Sequence, residues 1–248
     1  MKKLFAWMLA LVAGLAVIPM SGCSDILDKA TNVIVLQEEN AELEAENDEL
    51  KAELEALKIE LATLKFNTTF PGGIVNESII INNIIREVGN TEGDAIQVTD
   101  SAIVTINGGI FDGGQTPFGS AGNTALWCNG VDAKVIINNG VFKIGGLADG
   151  DTGHIELIYC KYGTVEINDG YFEGADDTVW LLNCNDASYK AGTANIIVKG
   201  GTFKNFNPAD CVSEGEHTNF VAPGYSSIGI IYNAGTAEEY TLYTIIKD

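Results

Sequence analysis

Two hydrophobic periods divide the chain. Between Val33 and Lys65, leucines return at every seventh position: Leu36, Leu43, Leu50, Leu57 and Leu64. Interleaved with them stand Val33, Asn40, Asn47, Leu54 and Leu61, so the two series fill the d and a positions of a heptad and predict a coiled-coil helix. From Ala95 onward the apolar residues alternate instead, every second position, as they do in strands with one buried face. These strands recur in a longer cycle. The stretches V-T-I-N-G-G-I-F, V-I-I-N-N-G-V-F, V-E-I-N-D-G-Y-F and I-I-V-K-G-G-T-F end at Phe111, Phe142, Phe172 and Phe203, at intervals of 31, 30 and 31 residues. Aligned on the phenylalanines, they share Gly109, Gly140, Gly170 and Gly201, with Ile106, Ile137, Ile167 and Val198 in one apolar column and Val104, Val135, Val165 and Ile196 in another.

A second strand precedes each of these. Ile96, Leu126, Ile158 and Leu182 form one inward column, and Val98, Cys128, Cys160 and Cys184 the next. Gln97, Trp127, Tyr159 and Asn183 fall between them and are expected to point outward. After each phenylalanine come Asp112, Lys143, Glu173 and Lys204, which alternate in sign as stacked neighbours on an exposed ladder do.

A unit of about thirty residues with two or three short strands and a glycine turn resembles one rung of a right-handed parallel β-helix of the pectate-lyase type. The resemblance implies an all-β fold in which like columns stack about 4.8 Å apart. Asn76–Ile85 reads as a degenerate first rung and Ser226–Ile246 as a last one, giving about six rungs. The segments N-F-N-P-A-D-C at Asn205–Cys211 and N-F-V-A-P-G-Y at Asn219–Tyr225 resemble terminal segments of β-helix proteins from gut Bacteroidota and their phages.

The charges beside the heptad seam set its orientation. Glu39, Glu46, Glu53 and Glu60 take the g positions; Gln37, Glu44, Lys51, Lys58 and Lys65 take the e positions. In a parallel pair Glu46–Lys51, Glu53–Lys58 and Glu60–Lys65 attract, whereas an antiparallel pair sets glutamate against glutamate. Parallel self-association through residues 33–65 follows. Asn40 and Asn47 at a positions lean toward a dimer, and a trimer stays open. Pro71-Gly72-Gly73 ends the helical region.

The chain opens with Lys2 and Lys3, then an apolar run of 15 residues from Leu4 to Ile18. That run is short for a membrane span and suits the central region of a signal peptide. Met20-Ser21-Gly22-Cys23 resembles a lipobox, which implies cleavage before Cys23 and acylation of that cysteine. Two or three acyl chains, at about 0.8 kcal/mol per buried CH₂, anchor a protein to a bilayer without a spanning helix. Ser24 resembles an outer-membrane sorting signal, and Asp25 resembles part of the acidic surface-export signal of Bacteroidota lipoproteins. The expected organisation is a signal peptide (1–22), a lipidated linker (23–32), a coiled-coil stalk (33–66), a junction (67–75) and a parallel β-helix domain (76–248).

With 14 basic and 34 acidic residues the chain carries −20, and removal of Lys2 and Lys3 leaves −22. Such a surface argues against nucleic acid as a partner. Cys128, Cys160, Cys184 and Cys211 fit no zinc spacing, and neither a metal nor another cofactor is expected. The stacked cysteines are read as reduced thiols.

Signals for catalysis are sparse. Arg86 falls in the degenerate first rung; Asp132, Asp176, Asp177 and Asp186 fall in loops; His154 and His217 share no repeat position. No catalytic residue is expected. The outward column offers different chemistry: Trp127 and Tyr159, with Asn129, Lys161, Asn183 and Asn185 around them, form a set in which ring faces pack on a sugar and amides bond its hydroxyls. The expected function is a membrane-anchored, surface-displayed, non-enzymatic module for adhesion or for binding a glycan or protein. A polysaccharide lyase or hydrolase, and a structural or phage-encoded envelope lipoprotein, are the alternatives.

Overall fold

A computed structural model describes residues 23–119, 122–150, 154–175 and 179–248. The expected signal peptide (1–22), the side chain of Cys23, and Asp176 and Asp177 lie outside the described residues. The chain divides into two compact units, Met1–Ala56 and Leu57–Asp248.

The helix α1 spans Cys23–Thr69. The expected linker at 23–32 and the start of the expected junction at 67–75 are therefore helical. No proline or glycine interrupts the stretch from Ser24 to Phe70, and Pro71, which cannot continue a helix, follows directly. Leu36, Leu43, Leu50, Leu54, Leu57, Leu61 and Leu64 are each more than half exposed. No described helix is long and apolar enough to cross a membrane.

The second unit is mostly β and is built from three sheets that the chain visits in rotation. Sheet A contains β1 (Ile74–Val75), β4 (Asp94–Val98), β7 (Thr124–Cys128), β10 (Ile155–Cys160) and β13 (Val179–Cys184). Sheet B contains β2 (Ile79–Ile81), β5 (Ile103–Ile106), β8 (Lys134–Ile137), β11 (Gly163–Ile167) and β14 (Ala194–Val198). Sheet C begins with β3 (Ile84–Glu87), β6 (Gly109–Asp112), β9 (Val141–Ile144), β12 (Tyr171–Gly174) and β15 (Thr202–Lys204). Every pairing in sheets A and B is parallel, and the register is the one the repeat predicts: Ile158 pairs with Leu126 and Leu182, and Cys160 with Cys128 and Cys184.

These columns are the core. Phe111, Phe142, Phe172 and Phe203 are fully buried, and their rings stack at centroid distances of 4.9, 5.2 and 4.6 Å. The glycine two residues before each ring has positive φ (Gly109 124°, Gly140 142°, Gly170 135°, Gly201 98°), a conformation that L side chains rarely adopt. A Cβ at Gly140 would lie 3.0 Å from the Phe142 ring. At the corner between sheets B and C, Asn107 Nδ2 donates to Asn82 Oδ1 (2.9 Å), Asn138 Nδ2 to Asn107 Oδ1 (2.8 Å) and Asn168 Nδ2 to Asn138 Oδ1 (2.9 Å). The next rung has Lys199 in that column, and the ladder stops; Lys199 pairs with Glu166 at 2.8 Å instead.

Both ends of the stack are closed. At one end the last turns of α1 bury Phe66 and Phe70, and Arg86 fastens the join, its Nε donating to Ala95 O (2.9 Å) and its Nη1 to Asn67 Oδ1 (2.7 Å). Arg86 thus has a structural post in the first rung. At the other end Phe220 is buried, and residues 220–222 bond both sides of Val198. The expected last rung at Ser226–Ile246 is not a rung. It is an antiparallel hairpin of β16 (Tyr225–Tyr232) and β17 (Tyr240–Lys247), with β17 antiparallel to β15. A rung sets its consecutive strands in different sheets, as β14 and β15 are, whereas β16 and β17 both lie in sheet C and pair with each other.

Candidate functional site

Sheet A has a bend that simple alternation does not predict. Ala95 and Ile96, Ala125 and Leu126, Leu157 and Ile158, and Leu181 and Leu182 are each buried as consecutive pairs. Strand pairing skips the first member of each pair, joining Asp94 to Thr124 and then Ile96 to Leu126. Two outward rows result. One contains Asp94, Thr124, Glu156 and Trp180, and the other Gln97, Trp127, Tyr159 and Asn183.

The structure brings the predicted aromatics together. Trp127 and Tyr159 sit on adjacent rungs with ring centroids 6.3 Å apart and planes inclined by 39°. The Lys161 ammonium lies 5.9 Å from the Trp127 ring centre, and Asn185 Nδ2 is 3.5 Å from the Tyr159 hydroxyl. Asn129 follows Cys128 at the end of β7, and its backbone N–H bonds Val98 O. Both rings are half-buried, each leaning on its neighbour in the stack, and the Trp127 Nε1–H is covered and has no partner among the described residues. Asn183 is buried as well. Its Nδ2 donates to Glu156 Oε1 (3.0 Å), and its Oδ1 is unpaired.

Trp180 and Glu214, two residues of this face, were missed from sequence. Burial raises the Glu156 carboxyl above its usual range, against the opposing bond from Asn183. Glu214, from the segment after β15, accepts the Cys184 backbone N–H through Oε1 at 2.5 Å, and burial raises it too. Desolvation also raises the Tyr159 phenol, and the charges of Glu156 and Glu214 add to the effect. Trp180 extends the aromatic surface and stacks on His154 at 4.4 Å. The signal for Trp180 was present, since it shares a repeat column with Thr124 and Glu156, but the bend hides that column from a period-two reading. Glu214 lies outside the repeat and carries no such signal.

Other polar groups are committed elsewhere. A cavity of about 760 Å³ beside the last rung is lined by Trp180, Lys204, Asp210 and Tyr240 among others. There Lys204 pairs with Glu173 and Asp210 with His217. Asp186 pairs with Lys190 at the short helix α2 (Asp186–Lys190), and Asp132 is exposed in a turn. Cys128, Cys160 and Cys184 are free thiols in the core. Each thiol's neighbour, together with burial, holds Cys128 and Cys184 well above the ordinary thiol range.

Comparison with protein-family models, with curated proteins and with solved structures finds no match to this chain.

Proposed function

We propose that this chain is a lipid-anchored surface protein that self-associates through residues 33–65 as a parallel coiled coil and displays a right-handed β-helix as a non-enzymatic binding module. The observation that carries the binding reading is the outer face of sheet A. Trp127, Tyr159 and Trp180 line one surface with Asn129, Lys161 and Asn185, and aromatic planes beside amides are what a sugar ring with its hydroxyls requires. The right hand follows from the strong preference of parallel strand–crossover–strand connections. Self-association rests on seven leucines left more than half exposed along α1, a seam that a second helix covers. The lipid anchor at Cys23 and the outer-membrane or surface location rest on the sequence alone.

A second reading has one observation in its favour. Glu156 and Glu214 are carboxyls held above their usual range beside a tyrosine, a property that general acids of polysaccharide hydrolases share. A glycan-array screen of the chain, followed by product analysis of every glycan retained, separates the two. Retention without new reducing ends or unsaturated products is the expected result. Cleavage that is lost in both Glu156→Gln and Glu214→Gln would establish the enzymatic reading in its place.

A further inference from the structure

The hairpin that closes the stack leaves an unusual edge. β16 reads Tyr-Ser-Ser-Ile-Gly-Ile-Ile-Tyr over 225–232 and is the terminal strand of the seven-stranded sheet C. It is eight residues long, whereas the edge strands β1 and β2 have two and three. Natural edges are normally blunted by charge, proline, a bulge or shortness. β16 has none of these, and no charged residue occurs from Tyr225 to Ala237 in a chain of net charge −20. Its side chains are apolar on both faces. Ile228, Ile230 and Tyr232 lie on the outer face with Ile246 of β17, Ile231 lies on the other, and all five are exposed.

We infer that β16 is the pairing surface for a second copy of this chain, joined antiparallel about a two-fold axis at Gly229. The register follows from symmetry and side-chain direction. In an antiparallel pair, opposite residues point to the same face, so a two-fold must pass through a residue. Centring it on Gly229 sets Ile228 against Ile230 of the second copy, and Ile230 against Ile228, on the outer face. On the other face Gly229 meets Gly229, at the point where a Cβ would come within 2.9 Å of the Tyr243 ring. Centring the axis on Ile228 sets Ser226 against Ile230 and loses the apolar match, and centring it on Ile230 pairs only residues 228–232 of the strand, against 226–232 for Gly229.

The absence of charge on this edge favours a second copy as the occupant. Self-pairing brings two uncharged strands together, so the strong acidity of the chain does not oppose contact at this edge. A two-fold, self-complementary contact is also the commonest form of protein self-association. The inference is independent of the coiled-coil reading, because it concerns residues 225–246 alone.

The test is pairwise disulfide trapping in the full chain carrying Cys23→Ser and Cys211→Ser, which removes the two cysteines outside the core columns. Under mild oxidation, Ile228→Cys together with Ile230→Cys should give a covalent dimer in high yield, and each single substitution several-fold less, because 228 faces 230 and neither faces itself. Ile230→Lys should abolish sedimentation of the species joined at this edge while leaving the circular dichroism spectrum unchanged, since the side chain is exposed. Absence of the crosslink in the double variant, or equal crosslinking by Ile228→Cys alone, would overturn the inference. So would Ile230→Lys with unchanged sedimentation, which would leave the edge to a different partner or to none.

Discussion

Glu156 illustrates how a single side chain on sheet A reports on its surroundings. Its carboxyl is held above the usual range by burial, so the folded chain favours the protonated form more than the unfolded chain does. The stability this contributes is full below the ordinary carboxyl range, near pH 4.3, and is lost as pH rises through the raised folded value. Glu156→Gln keeps an acceptor for Asn183 and removes the charge. Thermal melts across pH should show the variant more stable than the parent at pH 7, with the difference vanishing as pH falls toward 4; a pH-independent difference would contradict the assignment. The cysteine column makes a second claim at this scale. Cys128, Cys160 and Cys184 are buried and unpaired, with Cys160 Sγ 3.4 Å from Tyr162 O. They act as small apolar side chains, and alkylation in denaturant without prior reduction should add a label to each. A Cys128–Cys160 crosslink in the mass spectrum would be the contrary result. Inward positions such as these were legible because a strand's side chains alternate. The commitments of the outward ones were not: Asn183 turning to Glu156, or Glu214 reaching the Cys184 N–H, depend on contacts far apart in sequence.

Elements were legible wherever period and spacing agreed. The phenylalanine column, its glycines and the registers of sheets B and C follow from the 30- and 31-residue intervals, whereas the register of sheet A follows from aligning the apolar columns of the preceding strands. Where the pattern lacked a repeat to align, its reading failed. Ser226–Ile246 has strand-like alternation, but alternation does not distinguish a parallel rung from an antiparallel hairpin. The asparagine ladder was visible as a column and not recognised as a chain of hydrogen bonds, because a side-chain ladder needs rungs known to stack. For α1 the heptad predicted the helix, yet its ends differ from those expected because no residue before Pro71 stops it. The seam makes its own prediction. Replacing Asn40 and Asn47 with Leu should raise the melting temperature of the helical segment and broaden its distribution of oligomers, since polar a positions trade stability for a single register. Sedimentation equilibrium of residues 31–66 measures both the parent and the variant. A monomer at high micromolar concentration in the parent would contradict self-association.

At the scale of the molecule, the account joins an anchor, a self-associating helix and a binding face. The anchor is tested in cells: Cys23→Ser should abolish labelling by an alkyne fatty acid and release the protein from the membrane fraction, and labelling that survives the substitution would remove the tether. The binding face is the central claim, and its most direct test separates affinity from stability at one residue. Trp127 stands on the outer face of sheet A against Tyr159 and Lys161, half-buried. If the ring is an anchor for a ligand, Trp127→Ala weakens binding to a glycan retained on the array by about 1–3 kcal/mol and changes the melting temperature little. If the ring serves packing alone, the same substitution costs a few kcal/mol of stability. Titration calorimetry and thermal melts of the same two proteins measure both quantities. The account predicts lost affinity with a near-constant melting temperature, and a large fall in melting temperature with unchanged affinity would contradict it.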